Sequence, residues 1–170
     1  MNKKVLIVIL ILIGLVAITA YINRDSLKDK AAMIDNAEIT IKEDGEEISK
    51  VDFQLIQGLG EEAFKANLKS SGKDAVEHQY KGVPLKAILN WGEVNLEEKK
   101  QVIIKSVDGY TVALTVEEVL EEDNIYVAYE KDGEPLGTKA EGGNGPYQII
   151  IRKDPFSQRW AKFVVEVELR

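Results

Sequence analysis

The stretch that decides the fold runs from Asn124 to Arg170 and reads NIYVAYEKDGEPLGTKAEGGNGPYQIIIRKDPFSQRWAKFVVEVELR. Its β-branched and aromatic runs predict three strands, at Ile125 to Tyr129, Tyr147 to Arg152 and Phe163 to Leu169. The loop from Lys131 to Pro146 joins the first two strands and is rich in glycine. Because glycine permits positive φ and a close approach of the backbone, this loop is shaped for contact with a neighbour or a ligand. The pattern predicts a β scaffold and leaves open what the loop contacts.

Length and composition limit the classes of protein that this chain can belong to. Its 170 residues suit a single domain with a real core, and 45% hydrophobic and 30% charged residues are ordinary for a globular protein. The net charge of −7 argues against a nucleic-acid partner, which requires clustered lysine and arginine. The chain has no cysteine and only one histidine, His78. Disulfides, thiolate catalysis, cysteine-ligated metals and histidine-rich metal sites are therefore excluded.

The N-terminal segment differs from the rest of the chain. Lys3 and Lys4 precede an uncharged run from Val5 to Ile22, VLIVILILIGLVAITAYI. About 18 apolar residues are at the threshold for crossing a bilayer, so we expect residues 1–22 to form a transmembrane helix that acts as an uncleaved signal anchor. The alternative is a signal peptide cut after Ala20, which would release a secreted protein. Either way, residues 23–35 form a polar linker, and residues 36–170 form an extracytoplasmic domain, anchored to the cell membrane by a single pass unless the signal is cleaved.

The rest of the chain alternates between strand and turn signals. One hairpin is predicted by strands at 38–42 and 48–53, and a second by strands at 102–106 and 110–114 around Val107-Asp108-Gly109. Residues 63–71 fit either a strand or a helix.

Helix signals are fewer. Pro84 suits the first turn of a helix that ends near Trp91. Thr115 and Glu118 form a capping box that opens another short helix. With seven or eight short strands and two or three short helices, we predict an α+β, β-rich mixed fold.

A series of short motifs follows this order of elements. The motifs are Tyr80 with Gly82-Val83-Pro84-Leu85 and Ile88-Leu89, Asp108-Gly109-Tyr110, Ala128-Tyr129-Glu130 with Gly133-Glu134-Pro135-Leu136, Gly143 with Gly145-Pro146, and Arg159-Trp160-Ala161-Lys162. Over roughly Asn36 to Arg170 the series resembles the molybdopterin-binding domain of the sulfite oxidase family. The resemblance implies a pterin cofactor held between loops and, in active members, a redox reaction at molybdenum. It makes the following residues candidates for cofactor binding: Asp108, Gly109, Tyr110, Gly143, Gly145, Arg159 and Lys162.

The sequence departs from this family at the metal. In active members a cysteine thiolate ligates the metal, in the region before the Gly-Val-Pro-Leu motif, and the corresponding stretch here, Ala66 to Ser71, reads ANLKSS. A serine hydroxyl is not ionised at pH 7, and a soft site prefers thiolate. The family's arginine after the Gly-x-Pro of the glycine loop is also replaced, since Gln148 follows Gly145-Pro146-Tyr147. We therefore assign no catalytic and no metal-binding residue; the resemblance implies molybdopterin and the missing cysteine argues against it.

Three functions follow as hypotheses. The first is a degenerate binding or interaction module, with an exported protein or a small molecule as its partner. The second is a molybdopterin-dependent oxidoreductase that holds its cofactor noncovalently, and the third is a structural domain without a ligand. Two candidate regions also have structural interpretations: Asp108-Gly109-Tyr110 as a hairpin turn, and the cationic segment from Arg152 to Lys162 as a solvated hairpin end.

Overall fold

The computed structural model describes residues 3–170, apart from the side chains of residues 20, 22–27 and 29–31. The helices are α1 Lys3–Asp35, α2 Phe53–Gly58, α3 Leu85–Trp91 and α4 Val116–Leu120. The strands are β1 Glu38–Glu43, β2 Glu46–Asp52, β3 Glu62–Leu68, β4 Val76–Pro84, β5 Gln101–Ser106, β6 Thr111–Thr115, β7 Ile125–Lys131, β8 Glu134–Pro135, β9 Gln148–Ile151 and β10 Val164–Leu169. Two short 3-10 helices cover Lys139–Glu141 and Ser157–Arg159. The architecture is mixed and strand-rich, as the sequence predicts.

The strands form two five-stranded sheets. The first has the order β2-β1-β10-β5-β6, and in the second β3, β4 and β7 are neighbours while β8 and β9 both pair with β7. The strands pair antiparallel except β1 and β10, which run parallel with Thr40 opposite Glu166. This one parallel pair joins the first strand of the domain to the last, which closes the chain on itself.

The core lies where the two sheets meet the short helices. Strand β1 buries alternate residues, Ile39 and Ile41, as expected for a sheet with one solvated face. Strand β7 buries five consecutive residues from Ile125 to Tyr129, and all four residues of β9 are buried. The runs from Ile125 to Tyr129 and from Ile149 to Ile151 are apolar without alternation, as expected for strands that are covered on both faces.

The N-terminal segment forms one helix that continues through the predicted linker to Asp35. Within the described part of the chain, no helix has the length and apolar character needed to cross a membrane, so the expected transmembrane helix is not supported by the structure. Two residues after α1 ends, the carbonyl of Ala37 accepts a hydrogen bond from the hydroxyl of Tyr147 at 3.4 Å, which ties the start of the domain to its core.

Local signals predicted most of the other elements. Both hairpins are present, and the ambiguous segment 63–71 is extended as β3 up to Leu68. Pro84 is the residue that precedes α3, and the capping box is complete: Thr115 Oγ1 accepts from the Glu118 amide at 3.2 Å while Glu118 Oε2 accepts from the Thr115 amide at 2.8 Å. The strand β4 was missed, because its first half, Val76 to Gln79, is polar and mostly exposed.

Candidate functional site

A pocket of about 310 Å³ opens beside the loop that follows β3. It is lined by Leu68, Lys69, Ser70, Ser71, Tyr80, Asn144, Gln148, Ser157, Gln158, Trp160 and Lys162, and we call it the Lys162 pocket. The volume lies at the lower end of the range for small-molecule sites. Two of its walls are tied together, since the Lys69 amide donates to Ser157 Oγ at 2.8 Å and the Ser157 amide donates to the Lys69 carbonyl at 3.0 Å.

The opposite wall brings together two residues that are 14 positions apart. Gln148 and Lys162 form an isolated antiparallel bridge, and the Ile149 amide donates to the Ala161 carbonyl at 2.8 Å. Asn144 Nδ2 donates to Gln148 Oε1 at 3.2 Å, which orients the buried amide of Gln148. The pocket thus unites three regions that the sequence singled out separately: the stretch in place of the cysteine, the glutamine in place of the arginine, and the lysine of the last motif.

Two buried aromatic residues contribute to the lining. The rings of Tyr80 and Trp160 meet edge to face with centroids 6.0 Å apart, and Trp160 Nε1 donates to the Ile151 carbonyl at 3.0 Å. Tyr80 is only 1% exposed, yet its hydroxyl has no hydrogen-bond partner among residues 3–170 as described. Burial, with a smaller contribution from the charge of Asp132, raises the pKa of Tyr80 to about 12. The phenol therefore keeps its proton at neutral pH and remains a donor.

The charges at the pocket have one sign. The described residues that line it include Lys69 and Lys162 and no aspartate or glutamate. The Lys69 ammonium lies 4.8 Å from the ring centroid of Phe156, and Lys162 is exposed without a carboxylate partner in the part of the chain that the structure describes. In a chain with a net charge of −7, this pocket is a local positive site.

The glycine loop is closed by its own backbone. A Cβ added at Gly143 would lie closer than 3.0 Å to the carbonyl group of Gly137 and the carbonyl oxygen of Leu136. The Gly143 amide donates to the Thr138 carbonyl at 2.8 Å, and the Gly145 amide donates to the Gly137 carbonyl at 2.9 Å. The glycines are thus required by contacts within the loop. Neither Gly143 nor Gly145 lines the Lys162 pocket.

The segment Asp108-Gly109-Tyr110 forms the turn between β5 and β6. Gly109 has a φ of +85° with open space where a Cβ would lie, and Asp108 Oδ1 accepts from the Tyr110 amide at 3.2 Å. The Tyr110 hydroxyl donates to the Gln158 carbonyl at 2.8 Å, so the turn touches the rim of the Lys162 pocket without lining it. The arrangement is that of a hairpin turn.

Arg159 is held in ion pairs. Its guanidinium donates from Nε to Asp154 Oδ2 and from Nη2 to Glu118 Oε1, both at 2.8 Å. These carboxylates raise the pKa of Arg159, and Arg159 lowers the pKa of Glu118. The guanidinium thus ties α4 to the segment that leads to the pocket. It does not line the pocket, so Lys162 alone of the seven candidate residues does so.

Two other cations of the segment from Arg152 to Lys162 are also engaged. Arg152 Nε donates to the Lys65 carbonyl at 3.2 Å, and Lys153 pairs with Glu121 at 2.7 Å. Of the cationic segment from Arg152 to Lys162, Lys162 is therefore the cation that stays available at the pocket, where Lys69 from the loop after β3 joins it.

A second cavity, of about 330 Å³, has the opposite charge. Four acidic residues line it, namely Glu62, Glu121, Glu122 and Asp123, together with Lys86. The Tyr126 hydroxyl lies 3.0 Å from Glu62 Oε2 and 3.1 Å from Asp123 Oδ1, and burial raises the pKa of Tyr126. Across the described residues, no group of three or more acidic, histidine or cysteine side chains is placed to hold a metal ion.

The residues of the Lys162 pocket do not fit a protein-ligated molybdenum. The wall before β4 offers Ser70 and Ser71, whose hydroxyls stay protonated at neutral pH, and the chain has no cysteine. The anionic part of a pterin cofactor is different, since Lys69 and Lys162 are suited to a phosphate. The pocket therefore lacks the metal ligand but keeps cationic side chains.

Comparison with known proteins agrees with this architecture. The family model described as oxidoreductase molybdopterin binding domain matches residues 39–170. Among solved structures, the sulfane dehydrogenase SoxCD from Paracoccus pantotrophus superposes with a TM-score of 0.63 at 16% identity, over 79% of this chain and 38% of that one. The chain thus spans well under half of the SoxCD chain, and at this identity the likeness concerns the fold. No curated protein matches the sequence. The family match covers most of the chain, and the protein therefore belongs to the oxidoreductase molybdopterin-binding domain family.

Proposed function

We propose that this domain is a binding module in which the Lys162 pocket holds a ligand without any protein ligand to molybdenum. The observation that carries the proposal is the composition of the pocket: Ser70 and Ser71 stand where the resemblance places the cysteine, while Lys69 and Lys162 remain without carboxylate partners in the described structure. The scaffold of the family is thus combined with a site that has lost its metal ligand. A small molecule or a segment of an exported protein is the expected partner, and the net charge of −7 argues against nucleic acid.

Metal and pterin analysis tests this proposal. The full chain is purified from a host that makes molybdopterin, and molybdenum and pterin are measured per chain. We expect a folded protein with neither, because no thiolate is present to retain the metal. Molybdenum and pterin at near one per chain would contradict the proposal.

An oxidoreductase that holds molybdopterin noncovalently is the second candidate. Membership of the family and the free ammonium of Lys162 favour it, since Lys162 and Lys69 would hold the phosphate of the pterin. When bound, the cofactor would supply the redox-active metal. A redox-dependent visible absorption that is lost in Lys162→Ala and kept in Lys100→Ala would support this candidate. A colourless protein from the same host would count against it.

We also propose that α1 attaches the domain to a membrane and that the domain lies outside the cytoplasm. The support for attachment is the exposure of the apolar side chains of α1, which reaches 60% at Leu10 and 67% at Val16. Such side chains gain free energy when they leave water. Carbonate extraction of cell membranes should leave the full chain in the pellet, and protease added outside intact protoplasts should degrade the domain. A chain found in the supernatant would refute attachment, and a protected domain would refute its external location.

A further inference from the structure

We infer that the Lys162 pocket recognises a small oxyanion directly, through hydrogen-bond donors of the protein in place of a metal. The inference rests on the proposed function, because it takes the pocket to be the ligand site. It comes from the finding that the pocket lacks a metal ligand and that four of its donors, from Tyr80, Gln148, Lys69 and Lys162, have no acceptor committed to them in the described structure.

The first donor is the hydroxyl of Tyr80, a residue that is almost entirely buried and lines the pocket. Among the described residues, the fully buried side-chain atoms without a hydrogen-bond partner are Ser49 Oγ and Ser106 Oγ, so the hydroxyl of Tyr80 is not sealed inside the core. Tyr80 is 1% exposed, lines the pocket and has no partner for its hydroxyl within the described structure. Since the phenol keeps its proton at neutral pH, it can donate to an acceptor in the pocket.

The second donor is the amide of Gln148, which is 2% exposed. Its oxygen already accepts from Asn144 Nδ2 at 3.2 Å, so its Nε2 hydrogens are the part left for a ligand. Asn144 thereby fixes the amide with its donor side free. A glutamine held in this way favours a ligand that offers a hydrogen-bond acceptor and disfavours a ligand that offers a donor.

The ammonium groups of Lys69 and Lys162 complete the set. Lys162 is placed beside Gln148 by the bridge between them, and Lys69 is held by its backbone hydrogen bonds to Ser157. Among the described side chains, no aspartate or glutamate lines the pocket to neutralise them. A ligand that offers only acceptors and carries negative charge matches this set, and carboxylate, sulfate and phosphate share that chemistry. Amines and other cations would meet unpaired donors and like charge.

Binding of simple anions to the full chain in detergent tests the inference. Calorimetric titration and thermal unfolding are measured with sodium sulfate, sodium phosphate and sodium acetate, with sodium chloride holding the ionic strength constant and choline chloride as the cation control. We expect saturable binding of at least one oxyanion and none of choline. Comparing sulfate and phosphate with acetate shows whether the pocket prefers tetrahedral anions or carboxylates.

Three variants locate the site. Lys162→Gln should weaken binding about tenfold, as expected for the loss of one charge-assisted hydrogen bond. Tyr80→Phe should also weaken binding while leaving the ligand-free protein at least as stable, because the hydroxyl that it removes has no hydrogen-bond partner among the described residues. Lys100→Gln is the matched control, because Lys100 is exposed and lies outside the pocket. This variant should bind the anion as tightly as the parent does.

The outcomes separate this inference from the proposed function. No saturable binding of any oxyanion to the parent chain would overturn it. Binding that is unchanged in both Lys162→Gln and Tyr80→Phe would also overturn it, because the anion would then lie elsewhere. Failure of the proposed function is a different result, namely molybdenum and pterin at near one per chain.

Discussion

Gly143 separates two explanations of the glycine loop, and Gly143→Ala tests them. The residue is one of the candidates for cofactor binding by resemblance, which would make its missing side chain a way to let a ligand approach. In the structure the space of a Cβ is filled by the backbone of Leu136 and Gly137, at less than 3.0 Å. Its φ is not positive, so the cost of alanine is steric rather than conformational.

The expected loss of stability follows from what must move. The atoms in the way belong to a backbone that is itself held by hydrogen bonds, from the Gly143 amide to Thr138 and from the Gly145 amide to Gly137. The clash cannot be relieved by rotating a side chain, so we expect the upper end of the range for overpacking, about 3 kcal/mol. That is a large fraction of the roughly 5–15 kcal/mol by which domains are stable.

Urea unfolding followed by tryptophan fluorescence measures this loss. Gly58→Ala is the matched control, since a Cβ at Gly58 meets nothing within 4 Å, its φ is not positive and it lies in α2. Alanine there should leave stability unchanged or raise it by up to about 1 kcal/mol. A Gly143→Ala protein as stable as the parent, with ligand or cofactor binding lost, would refute the packing explanation and restore the glycine to the ligand site.

Three further predictions concern polar contacts. Arg159→Gln should destabilise the domain by about 1–2 kcal/mol, discounted for partial exposure, because Glu118 and Asp154 lose their shared cation. Arg159 lowers the pKa of Glu118 in the folded state. The stability that this ion pair contributes is therefore present above the ordinary glutamate pKa and is lost as the pH falls through the pKa of Glu118 in the folded protein. The unfolding curves of the parent and Arg159→Gln should converge in acid. Glu168 is 2% exposed, and its hydrogen bonds with Arg170 and Lys105 lower its pKa to about 2. Glu168→Gln should therefore lower the free energy of unfolding at neutral pH. The variant should also lose less stability than the parent as the pH falls from 4.5 to about 2. Thr115→Ala should cost about 1 kcal/mol by removing the capping box of α4.

The same urea titrations, repeated across pH, check these predictions with matched controls. Glu98→Gln changes an exposed carboxylate without an ion pair in the described chain and should leave the pH profile unchanged. Thr111→Ala changes an exposed threonine of β6 and should cost less than Thr115→Ala. Parallel pH profiles for the parent and Glu168→Gln would contradict the assigned pKa, and equal losses for the two threonine variants would contradict the capping explanation.

Local sequence patterns were sufficient for much of this protein. The apolar run from Ile125 to Tyr129, the two hairpins and the capping box at Thr115 were predictable, because each depends on residues within about ten positions. The order of the motifs indicated the family, and the lack of cysteine excluded a thiolate ligand without any structure. The strand β4 escaped because its first half is polar, so its position beside β7 is decided by pairing and not by its own pattern.

The site depended on tertiary structure, since its parts are distant in the chain and no local period links them. Only the fold shows that Arg159 is paired with Glu118, that Gly143 is packed against Gly137, and that Lys162 is the candidate that reaches the pocket. The sequence likewise does not show that the Tyr80 hydroxyl lacks a partner in the described structure, because whether a donor is satisfied depends on which groups surround it after folding. The sequence by itself determined the scaffold and the missing metal ligand; the packing of distant segments decided which polar groups remain free to bind.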